Sequence, residues 1–189
     1  MAQSPNITQL IAEWQAGSKS AEEALFEAIY RELQRIAVQI LRNEKPGQTL
    51  GATALVHEAY VRLSRSEELK VTNRTHLLAL CARVMRRIVV DRARARMAAK
   101  HSGIAVDPDT ALVATDREAD QILAVDLALA ELSQIAPRQC KLVELRYFAG
   151  YTIEESALIL GVSSRTARRE WEIARTRLRE IIDGSARAD

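Results

Sequence analysis

The residues best suited to chemistry in this chain are arginines. Arg165, Arg168, Arg169, Arg175, Arg177 and Arg179 crowd its C-terminal segment, with Thr166 among them. A guanidinium can donate two parallel hydrogen bonds to the O6 and N7 acceptors of guanine, and a threonine methyl can touch the methyl of thymine. At helical spacing, Arg165, Thr166, Arg168 and Arg169 occupy the first turns of a helix, the turns that a recognition helix pushes into the major groove. Arg175, Arg177 and Arg179 lie further along, where phosphates are the better targets. Ser163 and Ser164 stand just ahead, and one of them caps the helix. The expected duplex-binding set is therefore Ser163, Ser164, Arg165, Thr166, Arg168, Arg169 and Arg175. Against it stands an ordinary solvated face, which would mix both signs, and Glu170 and Glu172 supply some negative charge.

A second basic array lies mid-chain. Arg83, Arg86, Arg87 and Arg94 follow one another at offsets 0, 3, 4 and 11, which places them in one stripe along a helix. Arg92, Arg96 and Lys100 add charge near its end. Such a stripe, opposite an apolar face, suits tracking along a phosphate backbone. Nothing comparable points to catalysis. His57, His76 and His101 are scattered, no nucleophile stands beside a base, and Cys81 and Cys140 lack both C-x-x-C and metal-ligand spacing. The expectation is two reduced core thiols, with no catalytic centre, metal, cofactor or small-molecule substrate.

The elements that must carry these arginines are helical. Gly (7) and Pro (4) are scarce among 189 residues, and Ala, Leu, Arg and Glu dominate, residues that lose little rotamer freedom in a helix. The net charge of +2 says nothing by itself; its distribution carries the argument. Asn6 caps a first helix with Ile7, Leu10, Ile11 and Trp14 on one face, and Gly17 ends it. Ser20-Ala21-Glu22-Glu23 reads as a capping box opening a helix with Leu25, Ile29, Leu33, Ile36 and Ile40 inward. Pro46-Gly47 breaks the chain, and a third helix is predicted from about Thr53 with Leu55, Val56, Ala59, Tyr60 and Leu63 inward. After a polar loop, Ser64 to Thr75, the fourth runs from about His76 to Ala99.

The stretch 101–118 loses periodicity and reads as a flexible linker between a first domain, 1–100, and a second, 119–185. In the second, Leu123, Leu127, Ala130 and Leu132 form one face and Pro137 suits a first helical turn. Thr152-Ile153-Glu154-Glu155 is a capping box, and Leu160-Gly161-Val162-Ser163 is a tight turn before the basic helix. Together they spell a helix-turn-helix. The fold class expected is all-α, two helical domains each burying its own apolar faces. No apolar run is long enough for a membrane span, and Met1 to Ile7 lacks the start of a signal peptide, so a cytoplasmic location is expected.

In order and wording these motifs resemble the extracytoplasmic-function sigma factors over nearly the whole chain. Ala54-Leu55-Val56-His57-Glu58-Ala59-Tyr60-Val61-Arg62-Leu63 resembles that family's "D-L-V-Q-E-x-F-x-x-L" helix, and Ala82-Arg83 through Asp91-Arg92 its next helix. Leu142 to Tyr147 and Ala174 to Arg179 flank the helix-turn-helix as in sigma region 4. The resemblance implies that the first domain is region 2 and the second region 4. Region 2 would bind the clamp coiled coil of core RNA polymerase, through Leu55, His57, Glu58 and Arg62, and capture the −10 element with Arg83, Arg86, Arg87 and Arg94. Region 4 would read the −35 element of promoter DNA as duplex. The alternative is a helix-turn-helix regulator that is no polymerase subunit, for which neither a ligand pocket nor a dimer helix is evident.

The departures are specific. Where the family commonly has an acidic "D-A-E-D", this chain reads Gly51-Ala52-Thr53-Ala54; His57 replaces the usual Gln, and Arg87 stands where Asn is frequent. The chain resembles a subgroup associated with serine/threonine kinases, in which phosphorylation supplies the missing charge. Thr53 is the expected site and helix N-cap, with Thr49 as the alternative.

Overall fold

The computed structural model describes residues 6–41, 49–65, 71–102 and 115–185. Among them the chain is all-helical, without a strand. The order is α1 (Ile7–Gln15), α2 (Lys19–Ile40), α3 (Thr49–Ser64), α4 (Arg74–His101), α5 (Asp116–Ile135), α6 (Pro137–Val143), a π-helical turn (Glu144–Phe148), α7 (Ile153–Leu160) and α8 (Ser164–Ser185). Pro46-Gly47 and 103–114 lie outside the described residues. Of the stretch read as linker, His101 ends α4, and Asp116 to Glu118 form the first turn of α5.

Local signals explain most helix ends. Asn6 caps α1, accepting from the Gln9 amide at 3.3 Å, and Pro137 opens α6. Two starts differ from expectation. Ser18, not Ser20, caps α2, accepting from the Ala21 amide at 3.3 Å, so the helix begins a residue before the anticipated box. Thr115 and Glu118 form a capping box that the sequence reading missed, and α5 begins there.

The first core lies among α1 to α4, where Leu25, Ile29, Leu33, Leu55, Leu77, Met85 and Ile88 are almost wholly buried. Each such side chain contributes about 1.5–3 kcal/mol of transfer free energy. Cys81 and Cys140 are buried free thiols, and burial pushes them up to about 12 and about 11. A smaller core joins Leu129, Leu132, Cys140, Val143 and Ala174.

The two halves do not bury their apolar faces separately. Ala119, at the start of α5, belongs to the first core, and Ile122, Leu123, Phe148 and Tyr151 pack against it. The far end of α5 serves the second core through Leu129 and Leu132. The inward face of α5 is thus Ala119, Ala128, Leu129 and Leu132 with Ile122 and Leu123 beside them, whereas Leu127 is 65 % exposed and Ala130 faces water. No helix among the described residues is long and apolar enough to cross a membrane.

Candidate nucleic-acid interface

The helix-turn-helix is built from short-range devices. The Thr152 hydroxyl accepts from the Glu155 amide at 3.1 Å while the Glu155 carboxylate accepts from the Thr152 amide at 2.8 Å, closing the expected capping box at the start of α7. Gly161 ends α7 in the left-handed conformation, φ 65° and ψ 32°, where a Cβ is strained. The Val162 amide then donates back to the Ala157 carbonyl at 3.0 Å, so the chain turns at once into α8. Ser163, of the two candidate serines, is the cap: its Oγ accepts from the Thr166 amide at 3.1 Å. Ile153, Ala157 and Ala167 form the buried seam between the two helices, with Val162 and Trp171 against it, and Ala167 lets α8 lie close.

Outside that seam α8 presents Arg165, Arg168, Arg169 and Arg175 to solvent, with Ser164 and Thr166 half-buried beside them. Arg168 donates to Glu154 of α7 at 2.7 Å, and this contact holds the Glu154 carboxyl below its usual range. Glu170, one of the two acids that would have diluted the basic face, is not on it. It is 5 % exposed and held from within by Arg138 of α6, through Nε at 2.9 Å and through Nη2. The hydrogen bond and the charge of Glu170 raise the pKa of Arg138 further. Arg177 also differs from expectation: it reaches back to Gln139 of α6 at 3.0 Å instead of standing free for phosphate. Arg146 stacks over the Trp171 ring, 4.3 Å from its centroid, and braces the inner side of α8.

A helix-turn-helix whose second helix exposes several arginines is found in many DNA-binding proteins, even where, as here, an exposed acid such as Glu172 pairs with one of them (Arg175, 3.4 Å), and the match over the rest of the chain decides among them. The model of the ECF sigma factor family matches residues 4–184. The chain belongs to the ECF sigma factor family. No curated protein and no solved structure matches it. As an ECF sigma factor it serves transcription initiation, in a family that binds core RNA polymerase and promoter DNA.

In the first half of the sigma factor, the basic stripe of α4 is divided. Arg83 and Arg87 are exposed. Arg86 is largely covered and donates to Asp126 of α5 at 2.5 Å and to Glu144 of the π-helical turn at 3.1 Å, with its guanidinium 5.4 Å from the Phe148 ring centroid. Arg94 donates to the other oxygen of Asp126 at 2.9 Å. Asp91, on the same helix, accepts from Arg62 of α3 at 3.2 Å.

The residues expected to meet polymerase also separate. Leu55 is 0 % exposed, a core residue that supports α3 from inside and cannot itself form a docking surface. His57 is exposed, in line with Ala54 and Val61 on the outer face of α3. Glu58 accepts from Arg62 at 3.1 Å and from Arg92 at 2.8 Å, so Glu58, Arg62, Asp91 and Arg92 form one network joining α3 to α4. Thr53 is not the N-cap. The helix begins one turn earlier, at Thr49, and Thr53 is a half-buried residue of its second turn. Residues 66–70 of the polar loop between α3 and α4 lie outside the described residues. Among the described residues no group of His, Cys, Asp and Glu could hold a metal.

The residues that sequence reasoning missed here are the acids: Asp126, Glu144, Glu154 and Glu170. Each looked like ordinary helix-surface charge, and no spacing within its own helix singles it out.

Proposed function

We infer that this sigma factor reads the −35 element with the N-terminal turns of α8 and holds the −10 region with the α4 stripe, Arg83, Arg86, Arg87 and Arg94. Ser163, Ser164, Arg165, Thr166, Arg168, Arg169 and Arg175 form the duplex-reading set. The observation that carries this reading is the run of exposed arginines in the first turns of α8, Arg165, Arg168 and Arg169, from which Glu170 is withdrawn toward Arg138, with the exposed acids Glu154 and Glu172 pairing Arg168 at 2.7 Å and Arg175 at 3.4 Å. Guanidinium groups on such a face can take guanine edges in the major groove while Arg175, a turn and more beyond, takes phosphate. Core polymerase docks on the outer face of α3 around His57, with Glu58 and Arg62 at its edge, on the clamp coiled coil.

Phosphorylation of α3 completes that docking face. The segment Gly51-Ala52-Thr53-Ala54 carries no acid, and a phosphoryl group adds a charge of about −1.5 to −2 with strong acceptor oxygens. Side chains on a helix lean toward its N-terminus, so a phosphate on Thr53 lies over the first turn, where free amides and the helix dipole favour it. Thr49, the first residue of α3, is one turn away on the same side. A serine/threonine kinase is the partner this requires.

The test is promoter-specific transcription in vitro with purified core RNA polymerase. Specific initiation is expected, lost on Arg168→Ala with Arg169→Ala, and stronger after kinase treatment. A regulator that is not a polymerase subunit would bind promoter DNA yet direct no initiation from core enzyme. Tight core binding without modification, unchanged by phosphorylation at Thr49 or Thr53, excludes the switch.

A further inference from the structure

We propose that Glu154 is a positioning residue for DNA reading: it aims the Arg168 guanidinium at a base edge and keeps that side chain off phosphate. The inference deepens the reading that the first turns of α8 meet the −35 element, and rests on it. Glu154 lies in the first turn of α7 and accepts from Arg168 Nη2 at 2.7 Å, across the helix-turn-helix. Each is the chain neighbour of a seam residue, Ile153 or Ala167, whose burial fixes the two backbones against each other. The pair therefore has a set place at the rim of the seam, beside the exposed Arg165 and Arg169. The Arg168 and Glu154 side chains are 69 % and 56 % exposed, and an ion pair so open to water adds little to stability. Among the described residues, Arg165 and Arg169 form no ion pair. One arginine of the three is singled out by an acid, and holding the fold together does not account for it.

The acid is also a fixed charge. The Arg168 hydrogen bond holds the Glu154 carboxyl below its usual range, helped by its own backbone amide and by the charge of Arg146. A carboxylate in the first turn of a helix is favoured further by the free amides there and by the macrodipole. A phosphate oxygen approaching Arg168 meets this negative charge and is repelled. A guanine edge is neutral and presents O6 and N7 as acceptors. The contact with Glu154 uses one of the five N–H donors of the guanidinium and leaves the others for those acceptors. Glu154 thus weakens the attraction of Arg168 for the DNA backbone while sparing its attraction for a base. It also restricts the rotamers of Arg168 before DNA arrives, so less freedom is lost on binding. Arg165 and Arg169, with no acid beside them, stay open to phosphate.

The experiment assembles the full chain with core RNA polymerase and presents promoter duplexes randomised across the −35 element, so that base preference is read at every position; binding of the preferred duplex is then titrated across a salt series. Arg168→Ala should flatten one position. Glu154→Gln should flatten the same position by about 5-fold or more. It should also steepen the salt dependence by about 0.9, because the released arginine turns to a phosphate. Combining the two changes should flatten that position no further than Arg168→Ala alone. Glu131→Gln, the same change of charge on an exposed position of α5, should leave both readouts unchanged. A purely structural role for Glu154 would weaken binding to all sequences alike with no steeper slope, and that result overturns the inference. So does flattening at a different position, which would make Glu154 itself a base reader. If Arg168→Ala flattens a position that Glu154→Gln leaves sharp, the inference falls alone. If Arg168→Ala flattens none, the −35 reading of Arg168 falls and takes the inference with it.

Discussion

Arg138, in the first turn of α6, holds the carboxylate of Glu170 on the inner side of α8, although 32 residues separate them. The pair is lopsided: the Arg138 side chain is 58 % exposed and that of Glu170 only 6 %. Losing the arginine strands a buried charge, whereas losing the acid merely releases a solvated one. Arg138→Ala is expected to destabilise the second half, and Glu170→Gln, which still accepts a hydrogen bond, to destabilise it less. Denaturant melts of the two variants, compared at equal protein concentration, check the order.

The arginines of α8 should divide by role. Arg168→Ala or Arg169→Ala should cost about 1–3 kcal/mol of promoter affinity and relax preference at one base position of the −35 element. Arg177→Ala should leave base preference and salt dependence nearly as they were, since that side chain is committed to Gln139 at 3.0 Å. Binding titrations against single-base variants of the promoter distinguish the two patterns.

Gly161 should be replaceable only at a cost that comes from the backbone. Its φ is +65°, and an added Cβ would meet nothing within 4 Å. Gly161→Ala is therefore expected to destabilise by about 1–2 kcal/mol, the strain of a left-handed L-residue, without any clash. Gly161→Asn should cost less, because asparagine tolerates that conformation better. Thermal unfolding read by circular dichroism gives both values.

Acid should loosen the seam between α4 and α5. The Arg96 guanidinium, helped by Lys100, holds the Asp116 carboxyl below its usual value of 3.8. A carboxyl depressed in the folded state contributes stability above its unfolded pKa and loses it as pH falls through the folded one. Stability contributed by Asp116 is thus complete at neutral pH and disappears only below the usual carboxylate range. Asp116→Asn should flatten the acid limb of the stability profile, followed as the urea midpoint against pH, while changing its shape near neutrality little.

Local chemistry by itself determined the helix-turn-helix, the all-helical class and most of the caps. Thr152 to Glu155 and Gly161 act within a few residues of themselves, so their types and spacing leave little choice of conformation. The apolar stripes of α2 and α4 were equally plain, because a 3.6-residue period over many turns admits one buried face. Where signals competed locally, the expected start moved: Ser18 and Ser20 both suit a cap, and α3 begins a turn ahead of Thr53, the residue in the acid-free segment read as its cap. The period also failed on α5, where Leu127 fits a plausible stripe yet lies in solvent, because that helix serves two cores on different sides. Charge pairing was left to the tertiary structure. Arg86 meets Asp126 and Glu144 across 40 and 58 residues, and Arg138 meets Glu170 across 32. A charged side chain on a helix shows its sign and its face in the sequence. Whether that face turns toward water, DNA or another helix of the same chain depends on how the helices pack, and packing is set by the summed burial of distant apolar residues.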